Sequence, residues 1–534
     1  MGFDRVYIYD TTLRDGAQTS GVDFSPQDKI SIAQELDQLG VDYIEGGWPG
    51  ANPTDNSFFE SLPQLTTARI SAFGMTRRSG HSADNDPGLN AVMATKARVL
   101  CIVGKASAYH VDVALGIERV ENLAMIKDSI AYAASKMDEV IFDAEHFFDG
   151  FKADPEFALA CLNAATEGGA RWVVLCDTNG GTLPFEIEAI VSQVCTIIPG
   201  PSIGIHCHDD TGNAVANSLS AVRAGARMVQ GTINGLGERC GNASLISVIP
   251  SLMLKMGFET GVSRAGLKTL RQVSVALDER LNRSPNRHRP YVGDSAFAHK
   301  GGLHVSAIQK DPRSYEHIPP ETVGNQRTIL VSDQAGRSNL LAKFQDIGLH
   351  VDAKDPRLDV LLDTIKLNEM QGYAYDGAEA SFEILARGLL ADVPKYFQCT
   401  SYRVLNERRW LDGKTAINLT EATVKLAVDG GQVMTVAEGN GPVNALDAAL
   451  RKALLPLYPS LDDLRLVDYK VRILTPGDAT AAITRVIIES TDGSGRHWST
   501  LGVSANVIDA SFNALHDSIV FKLLRDGALK SHEN

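Results

Sequence analysis

What this 534-residue chain has little of narrows its possible roles. It carries only seven cysteines, with no CxxC pair, a usage that fits a reducing compartment. Cys101, Cys176 and Cys207 fall inside apolar, strand-like runs, where buried thiols are common. Positive charge is also short: 51 Lys and Arg stand against 65 Asp and Glu, a formal net charge of −14. That balance argues against a nucleic-acid surface and a polybasic membrane anchor, so any anionic ligand must be held locally. No apolar run approaches the roughly 20 residues of a membrane span. The first ten residues, MGFDRVYIYD, show no basic region followed by an apolar stretch, and Val6 stands where a myristoylation signal wants Ser or Thr. Together these absences predict a cytoplasmic protein with neither a nucleic-acid nor a membrane partner.

What is present is ordinary globular composition, 44% hydrophobic and 22% charged, at a length that predicts two to four domains. Eight short β-branched runs punctuate the first half: RVYIYD from residue 5, VDYIEGG from 41, RISAFG from 69, RVLCIVG from 98, EVIFDAE from 139, RWVVLCDTNG from 171, SIGIHCHDD from 202 and RMVQGTINGLG from 227. Helical stretches separate them. In SPQDKISIAQELDQLG, Ser25 reads as the N-cap, Pro26 as the first helical residue and Gly40 as the stop. In GNAVANSLSAVRAGA, Asn213 or Thr211 is available as a cap. Eight strand–helix alternations over roughly 260 residues predict an α/β fold, a parallel (β/α)8 TIM barrel. A doubly wound sheet is the rival, but no GxGxxG follows the first strand.

The strand ends are polar. Asp10, Arg14 and Asp15 follow the first, Glu45 the second, Asp143 and Glu145 the fifth, Asp177 and Thr178 the sixth, His206 and His208 the seventh, and Asn234 the eighth. In a barrel these ends converge on one mouth, where the active site lies. Any one of them can be a turn former, and for Asp177 or Asn234 alone that reading is favoured. His206 and His208 sit two apart, so on a strand they face the same side, and two converging imidazoles suit a first-row divalent metal. Two ligands alone do not complete a site.

Residues 263–395 turn helical and locally basic, with a glycine- and histidine-rich loop, AFAHKGGLHVSAI, that reads as a linker or as a lid carrying His299, Lys300 and His304. From 396 the texture changes to alternating strands closed twice by a similar helix, VNALDAAL from 443 and VIDASFNAL from 507. That weak internal repeat predicts a small α+β domain. The expected organisation is therefore a barrel over 1–262, a helical linker or lid region over 263–395, and a C-terminal domain over 396–534.

Three motifs carry a resemblance. YDTTLRDGAQT at 9–19, HCHDDTGN at 206–213 and TINGLGERCGN at 232–242 resemble the signatures of the α-isopropylmalate, homocitrate and citramalate synthase family. GGLHVSA, SYEHIPPETVG and DQAGRSN resemble its interdomain segments, and the C-terminal region its regulatory domain. Within the family, GGWPGANPTDNSFFE and SDQAGRSN resemble the longer citramalate-synthase branch, whereas isopropylmalate synthases carry an acidic residue where Ser244, Leu245 and Ile246 stand.

The resemblance implies condensation of acetyl-CoA with a 2-oxo acid followed by thioester hydrolysis: pyruvate to (R)-citramalate on the leading reading, 2-oxoisovalerate or another 2-oxo acid on the alternative. It implies Asp15, His206 and His208 as ligands of Mn²⁺, Mg²⁺, Co²⁺ or Zn²⁺, with Asn242 as a weaker fourth. Arg14 would add fixed charge at the developing alkoxide, and Thr178 would bind the substrate carboxylate or else cap the next helix. His304 would be the base, oriented by Glu145, with Tyr315 near the thioester oxygen; its alternative is a solvent-facing linker histidine. Phe73, Met75, Ile102 and Phe142 are the candidates for limiting the substrate's size. A branched-chain effector, isoleucine or leucine, and a homodimer are further expectations. A metal-dependent lyase on the same barrel and an inactive amino-acid sensor are the more distant readings.

Overall fold

A computed structural model describes residues 4–199, 202–332, 335–391, 393–410, 416–428 and 430–528. Asp333 and Gln334 of the SDQAGRSN stretch lie outside the described residues. The chain divides into two compact units, Met1–Phe297 with Ile318–Arg327, and Ala298–His317 with Thr328–Asn534.

The first unit is built on a closed parallel barrel of strands β1 (Tyr7–Asp10), β2 (Tyr43–Gly47), β3 (Arg69–Met75), β4 (Val99–Lys105), β5 (Glu139–Glu145), β6 (Trp172–Asp177), β7 (Ile203–Cys207) and β8 (Met228–Gly231), each paired with the next and β8 with β1. All eight expected runs form strands. Strand alternation divides their side chains between two packed layers. Tyr9, Tyr43, Phe73, Cys101, Ile141, Trp172, Val174 and Met228 fill the interior, while Ile8, Ile44, Leu100, Ile102, Phe142, Leu175, Ile205 and Val229 pack outward in the larger core shared with the helices.

Helix α1 (Pro26–Leu39) follows the expected signals closely. Ser25 and Asp28 form a capping box, Pro26 opens the helix, and Gly40 ends it at φ 102°, the left-handed region glycine adopts freely. A Cβ on Gly40 would lie 2.8 Å from the carbonyl of Gly261, so packing excludes one as well. The helix Ala214–Ala224 departs from expectation. Neither Asn213 nor Thr211 caps it; Asp209 Oδ1 accepts the Ala214 N–H at 2.8 Å, and Thr211 donates to the Gly180 carbonyl. The carboxylate reaches the open N–H because the turn after β7 folds back over the helix start.

In the second unit, β9 (Ala298–His299) pairs in parallel with β10 (Thr328–Ile329). The segment expected as a loop is instead a helix, Gly302–Lys310, burying Val305 and Ile308. Helices Arg337–Asp346, Arg357–Met370 and Glu379–Leu390 follow. Then come two repeats of three antiparallel strands and a helix: β11 (Gln398–Trp410), β12 (Ala416–Val428), β13 (Gly431–Gly439) with helix Pro442–Leu454, and β14 (Arg465–Ile473), β15 (Thr484–Thr491), β16 (His497–Ser504) with helix Val507–Arg525. The repeat expected from VNALDAAL and VIDASFNAL is therefore structural. Leu501 joins the core formed by Phe344, Leu361 and Phe382, so the second repeat and the preceding helices share apolar packing. No helix among the described residues is long and apolar enough to cross a membrane.

Candidate active site

Strand ends assemble the site. Asp15 follows β1, His206 is the fourth residue of β7, and His208 lies one residue past that strand, held by a bridge to Asn242. All three are buried, and their ligand atoms converge. Asp15 Oδ2 lies 3.6 Å from His206 Nε2 and 4.0 Å from His208 Nε2, and the two nitrogens are 3.4 Å apart. The centre of that triangle is about 2.1 Å from every corner, the length of a bond from a divalent metal to nitrogen or carboxylate oxygen.

The surroundings suit a cation. Burial alone would raise the Asp15 carboxyl, but the Arg14 guanidinium, then His206, His208 and the Asn242 amide, draw it down to about 2. Burial lowers His208 to about 4, helped by neighbouring His206, so its imidazole is neutral at pH 7 and has a lone pair to give. Asn242 donates Nδ2 to Asp15 Oδ1 at 2.9 Å and to the Leu236 carbonyl at 3.1 Å, while its Oδ1 is buried without a hydrogen-bond partner. A carboxylate, two converging imidazoles and an orphaned carbonyl oxygen make a donor set that fits a divalent ion.

Arg14 is fixed on three sides. Its Nε donates to Glu45 Oε2 at 2.7 Å, Nη1 donates to Asp15 Oδ2 at 3.0 Å, and its guanidinium carbon lies 4.1 Å from the centre of the Phe73 ring. Glu45 is itself fully buried and accepts the Tyr9 and Thr11 hydroxyls. Although burial opposes it, this anionic company raises the Arg14 pKa further above its usual value.

Arg14, Asp15, Phe73, Met75, Glu145, Thr178, His206 and His208 all line one cavity of about 250 Å³, joined by Trp48, Val103, Lys105 and Arg239. Thr178 accepts the backbone N–H of His146 at 2.8 Å and does not cap the helix after β6, so its hydroxyl proton can point to a ligand. Glu145 is ion-paired with Lys105. Ile102 and Phe142 are corrected by the strand phase: both face outward, fully buried against helices, while the inward partners on those strands are Cys101, Val103, Ile141 and Asp143. Asp177 and Asn234 are turn formers, Asp177 bonding Thr182 and Asn234 bonding Ser274 and Asp278. His304 and Tyr315 belong to the second unit, where their rings stack at 4.2 Å.

Sequence reading missed the far wall and the support beneath the candidate ligands. The loop Gly235–Gly241 forms that wall, lending Glu238 and Arg239 to the cavity while leaving no room for a side chain at Gly237 or Gly241. Gly237 has φ 153° and a Cβ there would fall 2.1 Å from Asn242 Nδ2; Gly241 has φ 95° and its Cβ would meet the Gly235 carbonyl at 2.0 Å. Arg239, at φ 58°, makes a two-toothed pair with Asp210 and donates to the Thr178 carbonyl. Under His206, Gln230 and Asp143 form a hydrogen-bonded chain. The glycines were visible in TINGLGERCGN; Gln230 gave no signal, since one glutamine in a strand has no pattern.

Three family models together cover most of the chain. Residues 5–274 match the HMGL-like family, residues 291–370 a homocitrate synthase post-HMGL domain-like family, and residues 376–523 the LeuA allosteric (dimerisation) domain. An (R)-citramalate synthase from Aquifex aeolicus is 52% identical over 98% of both chains, and one from Geobacter sulfurreducens 51% over 97% of both. The chain belongs to the (R)-citramalate synthase family. A 2-isopropylmalate synthase of Methanocaldococcus jannaschii stands further away, 32% identical over 97% of this chain and 94% of its own. For this citramalate-synthase family member, the greater likeness to the first two agrees with the branch suggested by its second-strand and SDQAGRSN segments.

Proposed function

We propose that the chain condenses acetyl-CoA with pyruvate, adding water to the thioester, to give (R)-citramalate and CoA. The observation that carries this is the near-half identity, over the whole chain, to proteins of that activity, from 45 to 52% in five of them. A divalent cation held by Asp15, His206 and His208, with Asn242 as fourth donor, would supply the Lewis acidity that polarises the keto group; Mn²⁺, Mg²⁺, Co²⁺ and Zn²⁺ all suit this donor set.

The chain's own groups do the rest. Arg14, locked by Glu45 and Phe73, presents a fixed positive charge to the alkoxide that forms when the new carbon bond closes. Thr178, whose oxygen already accepts the His146 N–H, donates its proton to the pyruvate carboxylate. Phe73 and Met75 restrict the space beyond the keto carbon. His304 takes the methyl proton of acetyl-CoA, with Tyr315 beside the thioester oxygen and Glu145 as the acidic partner of the base. A second cavity of about 440 Å³ shares Trp48, Met75, Lys105 and Glu145 with the first and is lined by Leu115, Ile117 and Met125. It suits the long thioester arm of acetyl-CoA, and exposed Arg78 at its edge suits a phosphate.

The barrel as catalytic domain, the region 263–395 as linker and lid, and the C-terminal repeats as regulatory and dimerisation domain complete the reading, with a homodimer in the cytoplasm inhibited by isoleucine, or by leucine. Release of CoA thiol, followed with acetyl-CoA, Mn²⁺ and one 2-oxo acid at a time, tests it. Turnover with pyruvate far above 2-oxoisovalerate and 2-oxoglutarate supports the proposal; preference for a bulkier acid keeps the chemistry and overturns the substrate. Silence with every acid moves the reading to a lyase or a sensor.

A further inference from the structure

His206 and His208 are not held alike. His208 Nδ1 is buried with no hydrogen-bond partner. His206 Nδ1, by contrast, lies 2.8 Å from Gln230 Oε1, and Gln230 Nε2 donates to Asp143 Oδ1 at 2.9 Å. Gln230 is fully buried and Asp143 nearly so. The chain of contacts follows from the barrel: His206 and Gln230 are register partners on β7 and β8, both inward, and Asp143 projects from β5 into the same interior.

Hydrogen-bond chemistry gives this chain a direction. A carboxylate only accepts, so Asp143 fixes the Gln230 amide with its NH₂ turned away from the histidine. The amide oxygen left facing His206 can also only accept, which places the ring proton on Nδ1. The lone pair is then on Nε2, the atom 3.4 to 3.6 Å from the other two corners of the ligand triangle. The reversed amide would aim its NH₂ at Nδ1 and force the proton onto Nε2, where a cation must bind. We infer that Gln230 and Asp143 are positioning residues that set the tautomer and ring orientation of His206, and so set the affinity of the site for its divalent ion. This rests on the metal role assigned to His206 above.

Titration of the full-length, metal-free protein with Mn²⁺ alone, followed by calorimetry, tests it. Gln230→Met keeps the length and apolar stem but removes the acceptor; a loss of about 10- to 100-fold in Mn²⁺ affinity is expected, the usual cost of losing an outer hydrogen bond to a metal-bound histidine. Asp143→Asn keeps the shape but sets opposite Gln230 an amide that can donate as well as accept, so the direction of the Gln230 amide is no longer fixed; a smaller loss of Mn²⁺ affinity with a mixed His206 tautomer is expected, which a general packing role would not produce. Nitrogen NMR of histidine-labelled metal-free protein, with the His206 signals identified by their loss in His206→Ala, should show a protonated Nδ1 and a bare Nε2 in wild type, and a mixture in Gln230→Met. If Gln230→Met does not fold, Gln230→Asn, which withdraws the amide by one methylene, carries the same expectation. A folded Gln230 variant with unchanged affinity and an unchanged tautomer overturns the inference, provided His206→Ala loses the metal. If His206→Ala also binds Mn²⁺ normally, the metal assignment itself has failed.

Discussion

Replacing Arg14 by Met separates structure from catalysis in this site. Arg14 neutralises Glu45, which is fully buried and whose other side-chain hydrogen bonds, among the described residues, come from the hydroxyls of Tyr9 and Thr11. Removing one partner of a buried ion pair costs about 3 to 5 kcal/mol. At roughly 2 to 4 °C per kcal/mol for a domain of this size, the barrel's thermal midpoint should fall by about 6 to 20 °C. Loss of a preorganised charge at the alkoxide should lower kcat by a further, independent factor of roughly 10² to 10³. The double variant Arg14→Met/Glu45→Gln distinguishes the two effects. A neutral amide at position 45 can still accept one hydroxyl and donate to the oxygen of the other, so the midpoint should largely return while kcat stays low. Thiol release at saturating pyruvate and Mn²⁺ measures the one, and scanning calorimetry the other. Recovery of kcat in the double variant would refute the reasoning, because Arg14 would then serve only to neutralise Glu45.

His304→Ala should lower kcat by about 10² to 10⁴ while leaving pyruvate binding intact, as expected for a lost base; an equal loss of pyruvate affinity at equilibrium would remove it from that role. Met75→Ala should raise the ratio of 2-oxoisovalerate to pyruvate turnover by about tenfold, within what one pocket side chain can decide. Phe73→Ala should cost rate with both acids, since it also releases Arg14; matched selectivity shifts in the two variants would contradict this. Asp37 accepts the backbone N–H groups of Thr66, Thr67 and Ala68, which outweigh burial and hold its carboxyl below the usual range. A depressed folded pKa contributes stability that is fully present above the unfolded value of about 4 and is lost as pH falls from there through the lower, folded value. The thermal gap between wild type and Asp37→Asn should therefore be widest near neutrality and close below about pH 4; a gap independent of pH would count against it.

Much of the barrel was legible because each strand is a short β-branched run bounded by turn residues, and because Ser25, Pro26 and Gly40 punctuate α1. Asp15, His206 and His208 were legible because chemistry-bearing residues stood at strand ends. Side-chain phase within a strand was harder. In near-continuous apolar runs such as VLCIVGK and VIFDAE both faces are buried, so nothing in the pattern tells Cys101 from Ile102 or Ile141 from Phe142. The helix Gly302–Lys310 was hidden by the two glycines at its start, although Val305 and Ile308 already had helical spacing. The cap at Asp209 and the chain from His206 to Asp143 depend on turn closure and cross-barrel register, which no single stretch encodes.

The glycines at 237 and 241 have a consequence for anyone wishing to redirect this catalyst. The backbone beside Asn242 is packed so closely that neither position can take even a methyl group. That stretch of the mouth is thus closed to added bulk at both glycines, although Glu238 and Arg239 between them still reach the cavity, and a side chain at Gly237 would displace Asn242 before it changed the substrate. The opposite side, where Met75 and Val103 project from adjacent strands, is built from side chains and can be recut. New substrates should enter from that direction, with their extra atoms pointing away from the Gly235–Gly241 loop.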